Sequence, residues 1–123
     1  VKPPPRTWLG KFYDAFRGLF VALRTQSSFA PHLAAAALAV ALAAWLGATL
    51  TEWCMVTLGI GLVVMAEVFN TSIEALAKAV GRYPDDNLRD ALDIASAGVM
   101  VAVFTAIVLG CIVFGPKLWA VLL

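Results

Sequence analysis

Charge is scarce in this chain. Asp, Glu, Lys and Arg make up 14% of its 123 residues, against about 25% in an ordinary soluble domain. The net charge is +1, and the basic residues are scattered. That excludes the dense basic face a nucleic-acid binder needs, so no nucleic-acid partner is expected. There is one histidine, His32, and there are two cysteines, Cys54 and Cys111, without CxxC spacing. Neither a zinc cluster nor a disulfide framework can be built from these, and both cysteines read as small buried hydrophobes. Gly59-Ile60-Gly61 lacks a third glycine and any GK[ST], so it reads as a packing feature rather than a phosphate loop. No cleavable signal is expected, because Lys2, Arg6, Lys11 and Arg17 are interleaved with apolar residues instead of preceding an unbroken apolar run. No internal repeat is visible. What the chain has in abundance is hydrophobic residues, 62% of the total, a composition that belongs in a bilayer.

A proline-rich tail, Lys2 to Pro5, precedes an expected helix over 6–25. At 100° per residue Trp8, Leu9, Phe12, Phe16, Leu19, Phe20 and Leu23 fall within an arc of roughly 120°, with Lys11, Asp14, Arg17 and Arg24 outside it. Such a basic, aromatic-rich amphipathic helix lies in the membrane interface. Three spans follow, over 29–50, 53–80 and 90–114, so the expected fold is all-α and integral to the membrane. The alanine-rich first span allows close helix approach. Thr51 and Glu52 read as a short turn, and Trp53 as an interfacial aromatic. The stretch Arg82 to Asp90 reads as a loop and helix start, and Gly115-Pro116 as the end of the third span. His32, at a span boundary, reads as an interfacial polar anchor. Five Lys or Arg residues precede the first span, three (Lys78, Arg82, Arg89) flank the second connection, and none lies in the first. The N-terminus is therefore expected to be cytoplasmic.

Glu67, Asn70 and Glu74 are spaced three and then four residues apart and form one helical stripe. Counted from Trp53, Glu67 lies ~21 Å and Glu74 ~31 Å along the helix, at the inner leaflet and its edge. An intramembrane Glu costs ~3 kcal/mol or more to insert and is read as functional by default. Across the connection, Asp85, Asp86, Asp90 and Asp93 can converge with Glu74, and such oxygen clusters suit Mg²⁺ bound together with a substrate phosphate. The lesser alternative is that Asp90, and less so Asp93, are merely negative residues at a helix N-terminus that favour its dipole.

Gly18-Leu19, Phe29 with His32, AEVFNTSIEAL at 66–76 and ALDIASAGV at 91–99 together resemble the prokaryotic diacylglycerol kinase and undecaprenol kinase family. The resemblance covers nearly the whole chain after the proline tail. It implies a homotrimer in the bacterial inner membrane with active sites shared between subunits, and a lipid kinase that uses ATP and Mg²⁺ to phosphorylate diacylglycerol or undecaprenol. Carried over by position, Glu67 matches the general base on the lipid hydroxyl, Asn70 its polar neighbour, and Glu74 a metal-binding carboxylate. Asp93 matches a residue holding ATP, and Ser96 a position lining the lipid site. Tyr83, Asp86 and Asn87 fall in the nucleotide-contacting connection. Three positions depart from the family pattern: Gln26 replaces a second metal-binding Glu, Ala30 an Arg, and Leu92 a Lys. Lys78 stands where the family commonly has Asp, four residues after Glu74; it either supplies the missing ammonium to a nucleotide phosphate or simply snorkels to the interface, the two readings being even. The departures leave room for a catalytically inactive relative that binds lipid or nucleotide as an interaction protein. A small transporter using Glu67 and Glu74 as a proton site is a third possibility.

Overall fold

The computed structural model describes residues 3–123. Lys2, counted above among the basic residues before the first span and at the head of the proline tail, lies outside the described residues. The chain folds into four helices, α1 (Trp8–Thr25), α2 (Phe29–Trp45), α3 (Leu50–Val80) and α4 (Asp86–Leu122). It is an all-α membrane protein. At 1.5 Å per residue α3 and α4 run ~46 and ~55 Å, ample for a hydrocarbon core of ~30 Å, whereas α2 reaches ~25 Å. Both α3 and α4 are long and apolar enough to cross a bilayer, and α2 becomes the third candidate when joined to α1 across their bend.

That bend is 104°. Thr7 caps α1 by accepting from Gly10 N–H at 3.0 Å, so the helix begins at Trp8 rather than at residue 6. Its aromatic face is bare: Trp8, Phe12, Phe16 and Phe20 are all exposed. Lys11 sits 4.6 Å over the Trp8 ring and Arg24 5.5 Å over that of Phe20. An apolar face with cations folded along its rim, set nearly square to the next helix, suits the headgroup boundary. At the elbow Gln26 N–H closes on the Ala22 carbonyl, and Phe29, 1% exposed, plugs the corner.

The first connection differs from the sequence expectation. Helix α2 ends at Trp45, and the turn is Leu46 to Thr49, with Gly47 at φ 66°, a conformation only glycine adopts cheaply. Thr51 and Glu52 belong to the first turn of α3. The reason is a capping box, in which Thr49 Oγ1 accepts from Glu52 N–H and Glu52 Oε1 accepts from Thr49 N–H. Trp53 does not stand free at the interface but packs against the core cluster of Ala43, Val56 and Val113.

Gly81, at φ 63°, closes α3 in the left-handed region, and Asp85 starts α4 by accepting from Leu88 N–H at 3.0 Å. Helix α4 packs along α3 more extensively than any other pair. The Gly59-Ile60-Gly61 reading holds for its first residue only: Gly59 is buried against Ala106 and Leu109, while Gly61 faces open space. A second correction concerns Gly115-Pro116, which does not end α4. Proline removes one hydrogen bond to the preceding turn. The turns beyond it are held from outside, because Lys117 Nζ lies 3.1 Å from Glu52 Oε1 and 3.5 Å from the Gly47 carbonyl. Cys54 and Cys111 are exposed rather than buried, since the bundle core is thin and most outward positions face lipid instead of protein.

Candidate functional site

Glu67 is the one buried carboxylate among the described residues, 3% exposed on the middle of α3. An ionised carboxylate at that depth demands donors. Two come from the first turns of α2. Ser28 Oγ donates to Glu67 Oε2 at 3.1 Å, and His32 Nε2 meets Oε1 at 2.9 Å. The two donors are four residues apart and so share one side of α2, and the 104° elbow brings that side over α3. Behind the carboxylate, Thr71 Oγ1 donates to the Glu67 main-chain carbonyl at 2.8 Å. His32 is therefore the partner of Glu67, 22% exposed, and not an interfacial anchor.

One turn further along, Asn70 Nδ2 donates to Glu74 Oε1 at 3.0 Å. Asn70 Oδ1 is buried and has no hydrogen-bond partner among the described residues. A buried oxygen acceptor left open beside a carboxylate asks for a donor or a hard cation.

None of the remaining predicted residues is hydrogen-bonded to this stripe among the described residues. Lys78 is exposed in the last turn of α3, and Tyr83, Asp86, Asn87 and Ser96 are exposed along the connection and α4. Gln26 is half-buried at the α1–α2 elbow. The expected convergence of Asp85, Asp86, Asp90 and Asp93 with Glu74 does not occur within one chain: among the described residues no group of three or more His, Cys, Asp or Glu side chains could hold a metal ion. The carboxylates of the α4 start are engaged locally or turned outward. Asp85 is spent on its cap, and Asp93, 73% exposed, lies 3.9 Å from Arg89 one turn back.

Ser28 escapes sequence reasoning, and His32 is given another role by it. The available signal is their i, i+4 spacing at the start of an otherwise non-polar helix.

Two apolar hollows flank the stripe. One, of about 220 Å³, lies among α2, α3 and α4 and is lined by Ala36, Ala39, Gly59, Val63 and Ala106 among others, with His32 its one polar side chain. The other, of about 380 Å³, lies between α3 and α4 and includes Asn70.

Residues 13–114 match the prokaryotic diacylglycerol kinase family. The chain belongs to that family. Among relatives of this prokaryotic diacylglycerol kinase family member, the diacylglycerol kinase of Escherichia coli K12 is 29% identical over 98 residues, 80% of each chain. The undecaprenol kinase of Bacillus subtilis 168 is 28% identical over 117 residues, covering 92% of this chain and 95% of that protein. Both the buried stripe on α3 and the His32–Glu67 contact fall inside the matched region.

Proposed function

We propose that this protein is a lipid kinase of the inner membrane that transfers the terminal phosphoryl group of ATP, with Mg²⁺, to the hydroxyl of diacylglycerol or undecaprenol. The observation that carries the proposal is a buried carboxylate, Glu67, held by two donors and followed one turn later by the open Asn70 oxygen and Glu74. Phosphoryl transfer needs positioning and charge neutralisation more than covalent chemistry. Glu67 supplies the negative charge that draws the proton from the lipid hydroxyl. Asn70 Oδ1 and Glu74 are hard oxygen donors that suit Mg²⁺, and Gln26 would complete the set through an amide oxygen. Magnesium bound there supplies neutralisation of phosphate charge.

In this reading Lys78 takes a nucleotide phosphate and replaces the ammonium lost at Leu92. Tyr83, Asp86, Asn87 and Asp93 contact the nucleotide, and Ser96 borders the lipid. Because Asp93 and Asp86 do not meet Glu74 within one chain, the complete site requires neighbouring copies, and a homotrimer supplies them. The N-terminus and the 81–85 connection then face the cytoplasm, where ATP is.

Purified protein in lipid vesicles, given labelled ATP and Mg²⁺, should transfer label to diacylglycerol or undecaprenol. Absence of transfer to both rejects the reading. The departures at Gln26, Ala30 and Leu92 favour a second reading, an inactive relative that binds lipid or nucleotide as an interaction protein. Thermal stabilisation by ATP without any turnover would select it.

A further inference from the structure

The two edges of the aromatic face of α1 are not alike. At 100° per residue Tyr13, Arg17 and Arg24 fall within ~40° of one another along one edge, and Lys11 stands alone on the other. Ala22, the buried residue of α1, lies ~140–180° around the helix from the first edge. Tyr13, Arg17 and Arg24 therefore look away from the bundle, and all three are exposed. We propose that this outer edge of α1 binds anionic phospholipid headgroups of the surrounding leaflet, with Arg17 and Arg24 taking their phosphates. The site uses no residue of the buried stripe on α3 and does not depend on the lipid-kinase reading.

Charge complementarity selects this occupant. From Arg6 to Arg24 the chain carries four basic residues and one acid, Asp14. That acid is already taken by Arg6 at 3.1 Å. Arg17 and Arg24 form no ion pair among the described residues, and no acidic side chain lies on their edge of the helix. The Arg24 guanidinium carbon sits 5.5 Å from the Phe20 ring, which lays the group along the boundary between the apolar face and water. A planar guanidinium matches phosphate oxygens in pairs, and Tyr13, one turn before Arg17, adds a phenolic O–H on the same edge. Arg17 and Arg24 are two turns apart, ~10.5 Å along the axis, which spaces them for two separate phosphates.

The apolar face bordered by these arginines is bare, and it enters the acyl region when α1 lies in the interface. Its edge is thereby held at the depth of the lipid phosphates, where basic groups meet the negative surface of a leaflet. Helix α1 leads through the elbow to Ser28 and His32, the two partners of Glu67. Headgroups gathered on the outer edge therefore anchor the arm from which those partners extend.

The whole chain, reconstituted in phosphatidylcholine bilayers with a trace of spin-labelled phospholipid, reports its headgroup preference through the fraction of label held motionally restricted at the protein boundary. At low salt the wild type should restrict labelled phosphatidylglycerol more than labelled phosphatidylcholine, by up to roughly fivefold at each arginine. In about 1 M NaCl, where charges act over only ~3 Å, the difference should vanish. Arg17→Gln with Arg24→Gln should abolish the preference at low salt, whereas Arg17→Lys with Arg24→Lys should retain most of it, as should Lys11→Gln. All of these side chains are exposed, so the variants should unfold at the wild-type temperature. Equal restriction of the two lipids by the wild type at low salt overturns the proposal and leaves the edge to a neighbouring copy or an acidic protein. A preference that survives in the double glutamine variant also overturns it and moves the headgroups to Lys78, Arg82 or Arg89. The measurement needs neither ATP nor a lipid alcohol, so failure of the kinase reading leaves this proposal standing.

Discussion

Ser28 stands at the N-cap of α2, yet its side chain makes no cap hydrogen bond, because the hydroxyl is given to Glu67 thirty-nine positions later. A serine cap is worth ~1 kcal/mol to a helix, so the trade makes sense only if the buried carboxylate gains more. Ser28→Ala should therefore destabilise the protein by ~1–3 kcal/mol through the unpaired Glu67 oxygen, measured by thermal unfolding in detergent, without shortening α2. Glu67→Gln should leave the assembly intact by size-exclusion and lower phosphoryl transfer roughly 10²–10⁴-fold. At Glu74 the expected change is in metal demand: Glu74→Gln should raise the Mg²⁺ concentration needed for half-maximal transfer, and an unchanged requirement would remove Glu74 from the metal site. The stripe on α3 is legible in the sequence because carboxylates in an apolar run stand out at their cost of insertion. Its partners are not legible, because pairing His32 with Glu67 requires knowing how the chain turns between α1 and α2.

Among the elements, the corrections share one cause, which is that local signals are outvoted by contacts from elsewhere. Thr49 and Glu52 spell a capping box at the spacing S/T-x-x-E, so the start of α3 is open to an earlier reading than Trp53. Gly115-Pro116 gives an ordinary stop signal, and only the reach of Lys117 to Glu52 shows why the helix continues. The aromatic stripe of α1, by contrast, needs no tertiary information, because its 3.6-residue period is written in its own side chains. Thr49→Ala should cost ~1 kcal/mol of stability by loss of the cap. Gly81→Ala forces a side chain into a left-handed backbone at φ 63° and should cost ~1 kcal/mol, again read by thermal unfolding.

On the scale of the whole molecule, most of the apolar surface is uncovered in a single chain, which the bilayer and neighbouring copies would satisfy together. Orientation is open to a direct check. A Cβ added at Gly18 would meet nothing within 4 Å, so Gly18→Cys fits without strain in a background lacking Cys54 and Cys111. In right-side-out vesicles that cysteine should resist an impermeant maleimide and react once the vesicles are broken open. The proposed trimer rests on the family resemblance alone, and the residue pattern of one chain carries no count of its copies.

The Lys117 contact has a mechanical consequence. It fastens the far end of α4 to the α2–α3 turn, at the end of the bundle opposite the elbow, and α2 otherwise touches α4 very little. Lys117 rivets one tip of the bundle and the Ser28 and His32 contacts to Glu67 clasp the other, so α2 is held to its neighbours at both ends of its length.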